Sequence, residues 1–515
     1  MLLIRTILTV GSYTLMHRLS CVIRDTIQAA VLGTGPLSDA FILAFKLVNI
    51  LRKLFAEGSF NAAFLPRFSA ILNTQGQPAA ERMASQVFTW LLIALALILI
   101  PGLLFFPTII RGYAVGFPPG STRFLYAVEL GRICFPYIAA SFLVALLSSI
   151  LNTINRFALP AATQLILNLF LILSMLLGAC GLPSVAHMMA WATSCAGIVQ
   201  VLLLWSVVRY RGGISVGLTR HLWSEETRKV FCKIIPGAVG AGIWPINVMI
   251  GTAAASSLQS GTVSCIYYAN QVTQFPLGVL GIGLSTALLP PLSRAIQKND
   301  WEQAQNQLNL GILLAVVMTL PATALFLALP EQVTSLLYEH GKFGHAQVCA
   351  TAPALAMFAL GLPAYMLAKV FSTALFSQGN TRHPFLSGLI SVGSCAGMIP
   401  LFAPFLQQVG IALAVSCAAW ANALTLYLFL KRGKRFSVSQ ETWRACASLV
   451  LAGGAMGGVL YVGRTVLLMG ASGAEWGVLS LLVLGGLGGF FFWLTGRLFG
   501  SFTFMHSLMQ EEKKD

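Results

Sequence analysis

His17-Arg18-Leu19-Ser20-Cys21-Val22-Ile23-Arg24-Asp25 opens a stretch that closes at Phe55-Ala56-Glu57-Gly58-Ser59-Phe60-Asn61, and between them charge is set inside two long apolar runs. Arg18, Arg24, Asp25, Asp39, Lys46, Arg52, Lys53 and Glu57 lie within those runs or at their ends. An ionised side chain at the centre of a membrane helix costs about 2.5 to 3.5 kcal/mol even on lenient insertion scales, so such residues face a hydrated cavity or one another. At about 100° per residue, Asp39, Lys46, Lys53 and Glu57 return to nearly one stripe, with Asn49 beside it and Arg52 further round. On the preceding helix His17 and Arg24 share one edge, and Arg18 and Asp25 another about 100° away. Two polar arcs are therefore expected to line one cavity.

The plain alternative is mutual neutralisation. Lys53 and Glu57 stand at i,i+4, and Arg24 and Asp25 lie near a helix end where side chains can snorkel. Against it, the bases among the first sixty residues (Arg5, Arg18, Arg24, Lys46, Arg52, Lys53) outnumber the acids (Asp25, Asp39, Glu57), so pairing leaves net positive charge. Buried arginine in excess points to an anionic ligand, and its planar fork suits phosphate.

Working outward, the 515 residues are 57% hydrophobic and only 9% charged, with a mean hydropathy of +0.80. A soluble domain carries about 25% charge, so the chain reads as an all-α polytopic membrane protein. The apolar start runs on through Arg18 without a small-residue cleavage site and is expected to be retained. Ten cysteines are scattered singly with no Cys-x-x-Cys spacing, as packing residues are. The formal charge of +16 sits in short connections between apolar segments; membrane topology explains it better than a nucleic-acid partner does.

Fourteen apolar spans are expected, near 7–32, 37–70, 86–110, 124–154, 158–180, 184–208, 230–256, 262–293, 305–329, 347–377, 384–405, 409–430, 442–462 and 476–499. The even-numbered connections carry the bases, including Arg209, Arg211, Arg220, Arg228 and Lys229, and then Lys431, Arg432, Lys434 and Arg435. The odd-numbered ones are poorer in charge, with Arg111, Arg123, Lys342 and Arg464 as exceptions. By the positive-inside rule both termini are cytoplasmic.

A repeat is present. Asn155 with Pro160 and Asn380 with Pro384 follow long spans at separations of 225 and 224 residues, and Ala63 with Pro66 matches Ala287 with Pro290 at 224. A constant offset makes individually weak matches persuasive. Because it advances the chain by six spans, the copies share an orientation, as in alternating-access carriers with a substrate site between the halves near mid-membrane. The expected division is 1–220 and 221–430 as pseudo-symmetric six-helix lobes, with 431–515 carrying two further spans and a tail.

At these residues the sequence resembles the MurJ (MviN) family of lipid II flippases, within the multidrug/oligosaccharidyl-lipid/polysaccharide exporter superfamily. The resemblance runs through nearly all of the chain. It rests on Arg18 with Ile23-Arg24-Asp25, Ser38-Asp39-Ala40-Phe41, Phe45-Lys46-Leu47, Asn49, Leu51-Arg52 and Phe55-Ala56-Glu57-Gly58-Ser59-Phe60, and further on Phe135-Pro136-Tyr137, Asn155-Arg156-Phe157, Tyr267-Tyr268-Ala269, Gly341-Lys342-Phe343 and Lys369-Val370. It implies fourteen helices in two lobes forming a V-shaped cavity, an extra C-terminal pair furnishing a lipid-tail groove, and export of an undecaprenyl-pyrophosphate-linked peptidoglycan precursor across the bacterial inner membrane. Carried over, Arg24 and Arg52 match the family's pyrophosphate-binding arginines, and Arg18, Asp39 and Asn49 match cavity residues tied to function. The substrate-binding set expected is these five with Lys46, Lys53, Glu57, Gln271 and Lys369.

One departure stands out. Where the family usually reads Tyr-Tyr-Ala-Asp-Arg, this chain has Tyr267-Tyr268-Ala269-Asn270-Gln271, followed by Gln274 in place of an acid. A third cavity arginine is replaced together with its acidic neighbours, and Arg18, Lys46 or Lys369 are the cations available to compensate. For Lys369 the competing reading is a snorkelling lysine. The family's sodium-binding carboxylates, implied on the seventh, eleventh and twelfth spans, also have no counterpart: no Asp or Glu lies between Glu226 and Asp300, or between Glu339 and Glu441.

Other functions fit less well. An exporter of drugs or of another polyprenyl-linked glycan shares the superfamily but not the Arg24/Arg52 and Phe55–Phe60 pattern. An enzyme acting on polyprenyl phosphates needs paired acids or clustered histidines, and the seven histidines are dispersed. No Gly-x-x-x-x-Gly-Lys-Ser/Thr loop is present for ATP. No cofactor or metal is expected; the expected partners are lipid II, membrane lipids and the cell-wall synthesis machinery.

Overall fold

The computed structural model describes residues 2–179, 184–221, 223–232, 243–433, 436–470, 478–502, 504, 505 and 508. Cys180, the 181–183 connection, Lys434 and Arg435 lie outside the described residues, as do the side chains of Arg5 and Glu57. Helices make up both compact units, Met1–Ser264 and Cys265–Asp515. Among the described residues, nine helices are long and apolar enough to cross a membrane.

In the first unit, α1 (Leu2–Leu32) and α2 (Pro36–Leu51) follow the first two expected spans. Gly33, at φ 62, makes the turn between them, a conformation that glycine adopts without steric cost. Pro36 then starts α2, where its missing N–H is no loss. Every side chain from Ser38 to Val48 is buried, so α2 runs through the middle of the unit. From Arg52 to Phe60 the helix continues as a π-helix before α3 (Asn61–Gln75) resumes the α form. The rings of Phe60, Phe64 and Phe68 stack along its inner face at 5.5 and 5.3 Å. They enter a core with Met83 and Val87 of α4 (Gln77–Leu104) and with Leu146 and Leu151.

After α5 (Phe106–Tyr113), the span expected at 124–154 is two helices, α6 (Thr122–Cys134) and α7 (Tyr137–Thr153), interrupted at Phe135-Pro136 where proline cannot donate to the ladder. Next come α8 (Ala158–Ala179) and α9 (Val185–Tyr210).

The chain from 213 to 219 lies extended along α4. Gln77 Nε2 donates to the carbonyl of Gly213 at 2.7 Å, Glu81 Oε1 accepts from the amide of Ser215 at 3.0 Å, Ser85 Oγ from Gly217 at 3.2 Å and Thr89 Oγ1 from Thr219 at 3.1 Å. The helix residues recur every fourth position, about 6.0 Å apart. The extended residues recur every second, about 6.6 Å apart. Between these bonds Ile214 and Val216 turn their side chains into the core. Beyond, Ser224 caps a helical turn and bonds Gln86, and Lys229 holds the exposed Glu225 carboxyl below its ordinary range through a hydrogen bond and its charge. The described parts of the seventh expected span are 230–232 and α10 (Ile243–Ser256).

The second unit holds the remainder of α11 (Thr262–Gln297), then α12 (Trp301–Ala328), α13 (Pro330–Tyr338), α14 (His345–Ala359) and α15 (Leu362–Ser377). The eleventh and twelfth expected spans form one run, α16 (Arg382–Arg432), kinked at Gln407, whose φ of 48 and ψ of −125 break the helix between the expected 384–405 and 409–430 spans. Leu288, Leu292, Leu308, Ile312, Phe371 and Leu426 fill the core. Arg464 of α17 (Gln440–Gly470) is paired with Glu331 of α13 at 2.7 Å, and α18 (Val478–Leu498) lies against α17.

Candidate functional site: buried charge and a polar cavity in the first unit

Arg24 is 6% exposed and fully engaged along its fork. Nε and Nη2 donate to Asp25 Oδ1 at 3.0 and 2.7 Å, and Nη1 donates to Asn168 Oδ1 of α8 at 2.9 Å. Asn168 in turn donates to Ser20 Oγ at 2.7 Å, and the Arg24 guanidinium lies 5.9 Å from the centre of the Phe45 ring. Burying a cation is costly unless charge-assisted hydrogen bonds meet it, and here one carboxylate and one amide do so. Arg18, six residues earlier and half-buried, keeps Nε buried with no hydrogen-bond acceptor among the described residues.

Arg52 is 7% exposed and begins the π-helix. Its Nε donates to Asn49 Oδ1 at 3.2 Å, while Asn49 Nδ2 donates back to the Phe45 carbonyl at 3.1 Å. Asn49 therefore orients the guanidinium from the preceding turn. Lys53 is exposed. It is the second residue of the π-helix, whose turns hold more residues than those of an α-helix.

Lys46 and Asp39 point elsewhere. Lys46 Nζ donates to Thr252 Oγ1 of α10 at 3.3 Å. Asp39 is wholly buried and accepts from the amides of Gly261 and Ser264 at 2.7 and 2.9 Å and from the Ser264 hydroxyl at 2.6 Å. Those amides open α11, so the carboxylate satisfies free N–H groups at a helix start and complements its dipole.

A cavity of about 400 Å³ lies within this unit. Tyr13, Thr14 and His17 of α1 line it, with Arg52 and Asn61, and Tyr137, Ser141, Ser148 and Asn152 of α7; α8 adds Thr163 and Gln164, and α9 adds Gln200. Tyr137 Oη lies 3.5 Å from Gln200 Oε1, and Gln200 Nε2 donates to the Thr163 carbonyl at 2.7 Å. Of the ten expected site residues, Arg52 lines this cavity. Arg24 belongs to the neighbouring Asn168 network, and Asp39 and Lys46 bond the 252–264 segment.

Gln271 and Lys369 belong to the second unit. Gln271 is half-buried on α11, and Lys369 is exposed on α15 with its Nζ 3.1 Å from the place a Cβ on Gly281 would take. The bare backbone of Gly281 gives the ammonium its room.

None of Asn168, Asn61, Asn152, Gln164 and Gln200 is among the site residues expected from the sequence. Their signal is an uncharged amide in or beside an apolar span, such as Leu-Ile-Leu-Asn168-Leu-Phe-Leu, which a search for charge passes over.

Comparison with known proteins gives a consistent result. The family model described as "Lipid II flippase MurJ" matches residues 28–484. The chain is 36% identical over 467 residues to "Probable lipid II flippase MurJ" of Rhizobium meliloti (strain 1021), covering 90% of this chain and 87% of that one. With "Lipid II flippase MurJ" of Burkholderia cenocepacia the identity is 30% over 464 residues, covering 89% and 90%. Among solved structures, "Lipid II flippase MurJ, inward closed conformation" superposes with a TM-score of 0.79 at 22% identity, over 95% of this chain and 98% of that one. An inward-facing multidrug resistance MATE family transporter of the MOP superfamily gives 0.71 at 15% identity, over 83% and 98%, a likeness of fold. With its family model matched over most of its length and its buried arginines held in a polytopic helical fold, the chain belongs to the lipid II flippase MurJ family.

Proposed function

We propose that the protein is a transporter that moves lipid II, the undecaprenyl-pyrophosphate-linked peptidoglycan precursor, from the cytoplasmic to the outer leaflet of the bacterial inner membrane by alternating access. The observation that carries this is the match of the MurJ family model to residues 28–484. Buried arginine supports it physically, because a membrane-embedded phosphate needs fixed guanidinium partners. The substrate-binding set is Arg18, Arg24, Asp39, Lys46, Asn49, Arg52, Lys53, Glu57, Gln271 and Lys369, with Arg24 and Arg52 on the pyrophosphate.

The repeat supports lobes at 1–220 and 221–430 with the 431–515 segment appended, and the basic even-numbered connections support cytoplasmic termini. The cell-wall synthesis machinery is the expected functional neighbour. Depletion of the protein in its host, followed by labelling of lipid II in the outer leaflet, tests the function. Loss of labelled lipid II is expected; undiminished arrival would refute it.

A further inference from the structure

The charged lining of the cavity in the first unit is Arg52 and the titratable His17, and no acid is among its described lining residues. The remaining polar lining is neutral. Asn61, Asn152 and Gln164 bring side-chain amides to it, and Tyr137 a ring whose body is buried. With Gln200 of α9, four side-chain amides line the cavity; water alone is a poor reason for them to converge among apolar helices, where polar side chains mark functional surfaces.

An amide offers a carbonyl acceptor and two N–H donors at once. That matches ligand groups which both give and take hydrogen bonds, the hydroxyls and N-acyl groups of a sugar, whereas a carboxylate or an ammonium would use only one half of each amide. A sugar pyrophosphate joins such a neutral ring directly to an anion. The cavity shows the same juxtaposition, Arg52 in one wall and the amides of α3, α7, α8 and α9 in the others. Its volume of about 400 Å³ lies near the lower end of the roughly 300 to 1,000 Å³ of ligand pockets. It has room for the sugar next to the phosphate but not for a whole precursor head.

We propose that this cavity is the subsite for the sugar attached directly to the lipid pyrophosphate, with the amides of Asn152 and Gln164 reading the ring while Arg52 holds the phosphate. This rests on the function proposed above and adds which part of the substrate the first unit recognises.

The test measures binding of two lipids to the full-length protein in nanodiscs: lipid II, and undecaprenyl pyrophosphate, which has the same anion and tail but no sugar. Asn152→Ala and Gln164→Leu should each weaken lipid II binding about fivefold and leave undecaprenyl pyrophosphate unchanged. Val144→Trp, which fills the cavity from α7, should act in the same selective way, whereas Arg52→Ala should weaken both lipids. Each variant is checked for an unchanged melting temperature. Equal losses for both lipids in the amide variants, or unaltered lipid II binding by folded Val144→Trp, would overturn the subsite. Wild-type protein that bound undecaprenyl pyrophosphate but gained nothing from the sugar would overturn it as well. Binding of neither lipid by the wild type would instead refute the flippase reading, and the subsite with it.

Discussion

Asn168 Oδ1 accepts from Arg24 Nη1 at 2.9 Å across 144 residues of sequence, fixing a cation of α1 from the middle of α8. Replacing Asn168 by Ala strands that N–H in the interior, a change that costs about 1 to 3 kcal/mol, and lipid II transport is expected to fall with it. Asn168→Asp separates position from stability. A second carboxylate on Arg24 should keep the melting temperature at least at the wild-type level while lowering lipid II affinity, because the guanidinium is then neutralised from both sides. Wild-type affinity in Asn168→Asp would remove Arg24 from the phosphate site.

Arg24→Ala and Arg52→Ala are each expected to abolish complementation of a flippase-depleted strain at normal protein level, and Lys to restore it only in part, since it lacks the planar fork. Asn49→Ala, which frees the Arg52 Nε, should give an intermediate defect. Full activity of both Ala variants would sink the assignment.

Asp39 meets three donors at once. Asp39→Asn keeps the size but loses the charge and turns an NH2 toward backbone N–H groups. The lost charge-assisted bonds are worth about 1.5 to 3 kcal/mol each, so a clear drop in melting temperature is expected. Ser264→Ala removes one of the three and should cost less. A larger effect from Ser264→Ala would show that the hydroxyl, not the carboxylate, organises this corner.

The long stretches without Asp or Glu, Thr227 to Asn299 and His340 to Gln440, leave a hard cation only neutral oxygens, such as those of Asn247 or Asn422. Transport in liposomes should therefore be indifferent to replacing sodium by potassium or choline. It should respond to an imposed potential, which is worth about 2.3 kcal/mol per elementary charge per 100 mV. A strict sodium requirement would contradict this.

Hydropathy found the helices because apolar length is written directly in residue order. Helix α8 falls within a residue of its expected 158–180 span, and the Gln407 kink lies between the expected 384–405 and 409–430 spans. Hydropathy carries no hydrogen-bond register, so the π-helix at Arg52–Phe60 is not legible in it. The buried arginines were legible as charge in apolar runs. Their partners were less so: Asp25 adjoins Arg24 in sequence, whereas Asn168 and Thr252 are uncharged and meet Arg24 and Lys46 only once the chain has folded.

The bonds between α4 and residues 213–219 make the connection count in pairs. Two residues of extended chain advance nearly as far as four of helix, so each tooth of one rack finds a notch in the other, and parity is what the arrangement reads. One residue inserted between 213 and 219 would turn every later amide away from its Ser, Thr or Glu acceptor and bring Ile214 or Val216 out of the core. Two inserted together would restore the phase after a single bulge. The tolerance of this linker to length should therefore alternate between odd and even rather than decline smoothly, a pattern that substitution at any one of its positions would never reveal.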